Sequence, residues 1–504
     1  MKLRGHHGRG TRRVPRRVLG TLLAAAALLM VPASAQALTV SGTAAPTDTT
    51  AGAHSDFVIT INFGPTNEDV QNLTVGLPPG VTGDPTATPQ CTEAQLNSAT
   101  AGNDGCPADT QVGTVVVNAT ITVVAVPVTL NVSGKLYNLT PHAGEPARFG
   151  IVLQPGDLGG AVALPLDPVI LQSGAALRQT DFGLDTIIND IPNSTPTPLG
   201  DLPTHINSQT ITLFGKPADH GVPGTPKPFM RNPTSCTPKV TNFSATPHPP
   251  ATGTATGSSP PFTPTNCGSL AFSPSFSASL VVPVRQPAGE KPALTTSIDQ
   301  AAGEAGLKDA KVFIPSAMGA DLSRLSPDQV CLQADFAAGN CPGVSVLGSA
   351  LATSPVLTAP LTGPVYLLDN PAGVARVGLD LHGQLNMRLQ GQLGIDNTTE
   401  FTGLPDIPIS HFELRFDGGP HGLLVTSRDI CEPPAPIFHA DFTGYNGAST
   451  AVDSPATIQG ACGPLPATKC KKAKKKKHKK RAAEAKKKHK KKSCKKKKKR
   501  KKKR

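Results

Sequence analysis

Hydrophobic and polar positions alternate in short runs along most of the chain. Phe57, Ile59, Ile61 and Phe63 alternate with Val58, Thr60 and Asn62, and Phe149, Ile151 and Leu153 with Gly150 and Val152. Val377, Leu379 and Leu381 alternate with Gly378, Asp380 and His382, and Phe412, Leu414 and Phe416 with Glu413, Arg415 and Asp417. A period of two turns one set of side chains into a core and the other toward solvent. The apolar stretch 115–132 is interrupted by Asn118, Thr120, Thr122 and Pro127, which predicts paired strands rather than a membrane span. Turn pairs such as Pro79-Gly80 and Gly418-Gly419 separate the runs. Many short strands at this spacing predict an all-β chain of tandem β-sandwich, Ig-like modules. Helix is expected only as single turns beside a cysteine, at Thr92-Glu93-Ala94-Gln95 and Pro327-Asp328-Gln329-Val330.

The same pattern occurs twice. Cys91 is followed fifteen residues on by Cys106-Pro107 and then Val112-Gly113; Cys331 is followed ten residues on by Cys341-Pro342 and then Leu347-Gly348. Gly134-Lys135-Leu136-Tyr137 corresponds to Gly363-Pro364-Val365-Tyr366, and Ala147-Arg148-Phe149-Gly150-Ile151 to Ala375-Arg376-Val377-Gly378-Leu379. Cys236 and Cys267 lie 31 apart, as do Cys431 and Cys462. A tandem duplication explains this order. It places one copy over 38–285 and a second over 286–465, the first lengthened by Pro/Thr/Gly-rich inserts around 190–265.

Composition adds a constraint on stability. With 49 Gly, 51 Pro, no Trp and 4% aromatic residues, the chain is rich in turns and short of large core side chains. Cross-links would offset that deficit. The pairing consistent with both copies is Cys91 with Cys106, Cys236 with Cys267, Cys331 with Cys341 and Cys431 with Cys462, each bond stabilising by about 2–4 kcal/mol. Metal binding would need close Cys-x2-Cys pairs or histidines at ligand spacing, and the sequence has neither.

Charge is segregated. Residues 1–37 carry seven basic and no acidic residues, and 38–468 carry 16 basic against 34 acidic, a net of −18. The C-terminal stretch carries 26 basic residues against one Glu, a net of +25. Its first block is Lys469, Lys471, Lys472, Lys474, Lys475, Lys476, Lys477, Lys479, Lys480 and Arg481. The second is Lys486, Lys487, Lys488, Lys490, Lys491 and Lys492. The third is Lys495, Lys496, Lys497, Lys498, Lys499, Arg500, Lys501, Lys502, Lys503 and Arg504. Self-repulsion predicts a disordered polybasic tail over 466–504. It contains no aromatics for base stacking, so its expected partners are polyanions bound by bulk charge. Cys470 and Cys494 within it are open to pairing, to linking chains or to staying free.

The N-terminus reads as a secretory signal peptide over 1–37. It has a basic region from Lys2 to Arg17, an apolar run over 18–30 and small-x-small sites at Ala33-Ser34-Ala35 and Ala35-Gln36-Ala37. This predicts a secreted, extracellular or cell-envelope protein in which the cysteines oxidise.

Catalytic signatures do not emerge. The sequence has no Gly-x-Ser-x-Gly elbow, no His-Glu-x-x-His and no phosphate-binding Gly-x4-Gly-Lys-Ser/Thr, so no enzyme, cofactor or resident metal is expected. Two weaker features are His411 and His421 near Asp417, and the acids Glu68, Asp69, Asp181, Asp185 and Asp190 as calcium ligands outside any EF-hand spacing. Asn72, Asn131, Asn138 and Asn397 head Asn-x-Ser/Thr triplets.

The segments Leu77-Pro78-Pro79-Gly80, Pro89-Gln90-Cys91, Cys106-Pro107, Asn232-Pro233-Thr234-Ser235-Cys236 and the Lys-rich C-terminus have a distinctive combination. In these the chain resembles uncharacterised secreted repeat proteins of high-GC Gram-positive, actinobacterial-type soil bacteria. The resemblance implies a bacterial surface or extracellular setting and no particular activity. The expected function is a non-catalytic envelope-associated protein whose tail binds anionic cell-wall polymers or an anionic lipid surface. The alternative is an adhesin-like module binding polysaccharide or protein on its β faces. Extracellular nucleic acid is a non-specific partner of the tail.

Overall fold

The alternating runs form strands. A computed structural model describes residues 37–463, apart from 65–67, 124, 157–165, 198–199, 322, 324–325, 370–374 and 395. The signal peptide expected before Leu38 and the cationic stretch expected over 466–504 lie outside the described residues, Ala37 excepted.

The first group of strands is β1 (Thr39–Pro46), β2 (Phe57–Gly64), β3 (Val70–Gly76), β4 (Thr82–Gly83), β5 (Gln111–Val123), β6 (Val126–Leu139) and β7 (Arg148–Gln154). It continues with β8 (Val169–Leu177), β9 (Leu184–Ile188), β10 (Ser194–Thr195), β11 (Leu202–Leu213), β12 (Met230–Arg231), β13 (Asn242–Pro247) and β14 (Ala255–Ser258). The second group is β15 (Ser275–Val282), β16 (Ala293–Asp299), β17 (Leu307–Phe313), β18 (Met318–Ala320), β19 (Val346–Thr353), β20 (Leu361–Leu368) and β21 (Arg376–Leu381). It ends with β22 (Met387–Leu393), β23 (Thr398–Phe401), β24 (His411–Phe416), β25 (Leu424–Thr426), β26 (Ile437–Gly444), β27 (Ser449–Pro455) and β28 (Thr457–Gly460).

Each group builds one twelve-stranded sheet. The first runs β1-β2-β11-β5-β6-β7-β8-β9-β3-β13-β14, with β10 on β11. The second runs β15-β16-β24-β19-β20-β21-β22-β23-β17-β26-β27, with β28 parallel to β15. Position for position the two orders are the same, and each has a small ribbon, β4 with β12 and β18 with β25. The second sheet takes its first strand, β15, from before residue 286. Phe276, Ala278, Leu280 and Val282 on β15 are buried in the second core, which fixes that strand there.

The protein is thus an all-β chain of two sandwich modules. Each sandwich is one continuous sheet curled around its own core, so strands far apart in the order meet inside. Phe57, Ile61 and Val115 join Leu73, Val75 and Phe243 in the first core. Leu280, Leu379 and Leu414 join Phe438 and Phe442 in the second. Four disulfides close the loops: Cys91–Cys106, Cys236–Cys267, Cys331–Cys341 and Cys431–Cys462.

Two strands depart from simple alternation. On β7, Val152 is fully buried although its parity points outward, and on β21 Asp380 is 4% exposed. The first cysteine loop, folded over the outer side of its sheet, covers Val152, and Asp380 is covered by Arg388, which pairs with it and donates to Ala337 O of the second cysteine loop. In the first module, helix α1 (Glu93–Leu96) starts on a Thr92–Gln95 capping box and lays Leu96 against Tyr137, Leu139 and Val152. In the second, a 3-10 turn at Pro327–Gln329 precedes a separate helix, α2 (Gln333–Ala338), which the sequence pattern did not announce. It lays Phe336 against Leu368 and Tyr366. Both loops are stitched to the sheet alike: the Cys91 N–H donates to Asn138 O at 2.8 Å, and the Cys331 N–H to Leu367 O at 2.8 Å.

Candidate functional site

One surface feature that distinguishes the two modules is the outer face of β1-β2-β11-β5-β6. Outward side chains align across the five strands in rows. Thr43, Thr60, Thr210, Val116 and Ser133 form one row. Ser41, Asn62, Ser208, Asn118 and Asn131 form the next. Ala45, Val58, Thr212, Thr114 and Lys135 form a third, in which Lys135 is the only charge. The opposite parity, Val40, Ile59, Ile61, Ile211, Val115 and Val117, is buried in the core and fixes which residues face out.

Side chains on this face bond to one another across strands. The Thr60 and Thr210 hydroxyls are 3.1 Å apart, and those of Thr120 and Thr129 are 2.9 Å apart. Asn118 Nδ2 donates to Asn131 Oδ1 at 2.8 Å. At a bulge in β11, Asn207 Nδ2 donates to Asn118 Oδ1 and Thr120 Oγ1, both at 2.9 Å. The face ends at β6, where Lys135 and the Tyr137 hydroxyl both reach Asp104 Oδ2 in the cysteine loop, at 2.9 and 2.7 Å. Burial, then the neighbouring carboxylate of Asp104, pushes the Tyr137 phenol far above its ordinary pKa.

A second polar cluster joins the modules. The Asn232-Pro233-Thr234 stretch leaves β12 and meets the second module: the Thr234 N–H and hydroxyl donate to the buried Asp406 at 2.8 and 2.5 Å. The Gly306 N–H donates to the Thr234 hydroxyl at 2.9 Å, and Arg231 Nη2 donates to Glu304 O at 2.8 Å. Burial lowers the pKa values of Arg231 and Lys239, and the Asp406 charge opposes both shifts. Burial with Asp406 and Asp309 nearby pushes the Tyr445 phenol up to about 12. Beside this cluster is an apolar cavity of about 100 Å³ between the modules, lined by Phe149, Phe229 and Met230 on one side and Leu357, Met387 and Ile407 on the other. Thr234 and Asp406 are spent on one another, and their bonds tie the two modules together.

The weaker candidates from the sequence are dispersed. Asp69 pairs with His205 at 2.7 Å, and Asp181 and Asp185 both pair with Arg178. Glu68 accepts from the Leu38 N–H, and the Asp190 backbone N–H donates to Asn72 Oδ1 at 3.2 Å. His411 pairs with Asp299 rather than Asp417, at 2.7 Å. Among the described residues no group of three or more His, Cys, Asp or Glu is placed to hold a metal ion. Asn138 is completely buried with its amide held by Pro85 O and the Thr88 carbonyl, so its triplet is closed to modification in the folded chain. The basic residues of the tail lie outside the described residues. The Thr/Asn face went unnoticed in the sequence, although a signal existed: the polar half of the alternation in β1, β2, β5, β6 and β11 is nearly free of charge.

No family model matches the chain, and no curated protein does. Among solved structures, a putative membrane anchored protein from Corynebacterium diphtheriae aligns over 85% of this chain and 96% of its own, at 10% identity and a TM-score of 0.18. The type II cohesin dyad of an adaptor scaffoldin from Acetivibrio cellulolyticus aligns over 84% and 97%, at 8% identity and a TM-score of 0.14. A Ca2+-stabilized adhesin by which an Antarctic bacterium binds ice aligns over 84% and 100%, at 10% identity and a TM-score of 0.08. Superposition at this level is poor.

Proposed function

We propose that this is a non-catalytic protein of the cell envelope or its surroundings, tethered by its cationic tail to anionic surface polymers, with its two β modules presented outward. The observation that carries the proposal is the charge segregation: a body of net −18 over 38–468 is joined to a stretch of net +25 over 469–504. A Lys near an anionic surface contributes up to about 1 kcal/mol, so a fraction of the tail engaged at once holds the chain firmly. The acidic body is repelled by the same surface, which favours projection over lying flat.

Four disulfides support an oxidising location, because such bonds persist outside the cytoplasm. The leader-like residues before Leu38 support the same location. Anionic wall polymers and anionic lipid headgroups both satisfy the tail's chemistry, and extracellular nucleic acid would bind without sequence preference. The modules add a binding surface for a polysaccharide or protein.

Fractionation of producing cells tests this. The full chain is expected with the cells and released by a high-salt wash, and a chain ending at residue 468 is expected in the medium. A truncated chain that stays cell-bound would show that the tail is not the tether.

A further inference from the structure

The three rows on the outer face of β1-β2-β11-β5-β6 carry one charge, Lys135, by choice of residue and not by demand of the fold, because the second module supplies an internal control. Its strands pair in the same register: Gly113 opposite Leu213 corresponds to Gly348 opposite Phe416. Counting outward from that pair, Thr212, Thr210 and Ser208 on β11 correspond to Arg415, Glu413 and His411 on β24. Asn62 on β2 likewise corresponds to Asp299 on β16. One backbone framework therefore accommodates charge at these positions, and the first module has none there, within a body that is otherwise strongly acidic.

The first module also enlarges this face. β5, β6 and β11 run 13, 14 and 12 residues, against 8, 8 and 6 for β19, β20 and β24. The added length carries Thr120, Thr129 and Asn131, next to Asn118 at the position of Thr353. Strand geometry sets these groups on a grid of about 4.8 Å across strands and about 6.8 Å along them. Thr is stiff at χ1, and the Thr60–Thr210, Thr120–Thr129 and Asn118–Asn131 contacts fix rotamers before any ligand arrives.

We propose that this face docks a neutral polysaccharide. Hydroxyls and carboxamides each donate and accept, matching the hydroxyls of a sugar polymer. The Thr methyls with Val58 and Val116 match the apolar C–H faces of sugar rings. A repeating polymer meets repeating partners, so weak contacts sum. An anionic polymer gains nothing from three rows whose one cation, Lys135, is held by Asp104. A protein partner would be expected to find aromatic or Arg anchors, and the three rows above contain none. This deepens the view of the modules as an outward binding surface and is independent of the tail.

The test is retention of the full chain on suspensions of insoluble neutral glucans (cellulose, starch granules and a β-1,3-glucan), with a polygalacturonate gel as the charged control. Salt is kept high enough to screen the tail. The wild type is expected to be retained by at least one neutral glucan and not by polygalacturonate. Thr210→Glu/Thr212→Arg, which installs residues the second sheet already carries in that register, is expected to bind about tenfold more weakly or worse with an unchanged thermal transition. Should that variant unfold, Asn131→Asp/Ser133→Glu on exposed β6 tests the same surface. Glu413→Thr/Arg415→Thr on the second sheet is expected to bind as wild type. Retention by no neutral glucan, retention by polygalacturonate alone, or equal retention of a folded charged variant would overturn the proposal. A tail-deleted chain released from cells alongside any of these results would leave the tether standing.

Discussion

Gly150 and Gly378 illustrate how one side-chain vacancy organises a module. A Cβ at Gly150 would come within 2.6 Å of Leu96, and one at Gly378 within 2.6 Å of Phe336. Each glycine leaves room on the sheet's outer side for the apolar residue that the cysteine loop presses inward. Gly378→Ala is expected to overpack this contact and cost about 1–3 kcal/mol, read as a lower denaturant midpoint at unchanged slope. An unchanged midpoint would mean that Phe336 does not sit there. The sequence aligns Gly150 with Gly378 and Tyr137 with Tyr366, but the reason is illegible there, because it lies in a contact between segments some fifty residues apart. His439 is a residue-scale test of a different kind. Its Nδ1 is 2.7 Å from Asp453 and its Nε2 is 3.0 Å from Asp441, so both ring nitrogens face carboxylates. The Asp453 bond first, then the Asp441 charge, raises its pKa above the ordinary 6.5. With the folded value raised, its contribution to stability is full below the ordinary histidine pKa and is lost as pH rises through the folded value. An NMR titration of the His439 ring is expected to give a midpoint above 6.5, brought down by Asp453→Asn. A native midpoint at or below 6.5 would contradict the geometry.

At the scale of elements, the cysteine loops replace core that the chain lacks. Cys91 is fully buried beside Leu139, and its bond to Cys106 holds α1 against the sheet. Removing the bond in Cys91→Ser/Cys106→Ser is expected to cost about 2–4 kcal/mol in urea unfolding. A loss well under 1 kcal/mol would mean that packing alone holds the loop. Alternation made β2, β7, β21 and β24 legible, since a period of two needs no partner to be seen. It overstated the solvent exposure of β7 and β21, whose outer side is covered from elsewhere in the chain. Strand order was not legible: β2 pairs with β11 about 150 residues away, and β3 sits between β9 and β13. Such pairings follow from three-dimensional closure, not from local pattern. α2 escaped because a six-residue helix shows too little periodicity.

At the scale of the molecule, the two modules are locked by Thr234, Asp406 and the buried polar groups around them, and share an apolar seam. The segment Asn232-Pro233-Thr234-Ser235-Cys236 is distinctive in the sequence, but its role at this junction lies in bonds to Gly306 and Asp406, far along the chain. The Thr/Asn face was half visible, as polar parity without charge, and its contrast with the second module needed the registers. Charge segregation was fully legible, because counting suffices. It makes electrostatic tethering the claim on which the account of the protein rests. The most direct measurement is the affinity of purified full-length chain for an immobilised phosphate-backbone wall polymer across a salt series, beside the chain ending at residue 468. The account predicts tight binding at low salt that falls steeply as salt rises, and little binding by the truncated chain at any salt. Equal binding by the two chains, or binding by the full chain that is indifferent to salt, would contradict it.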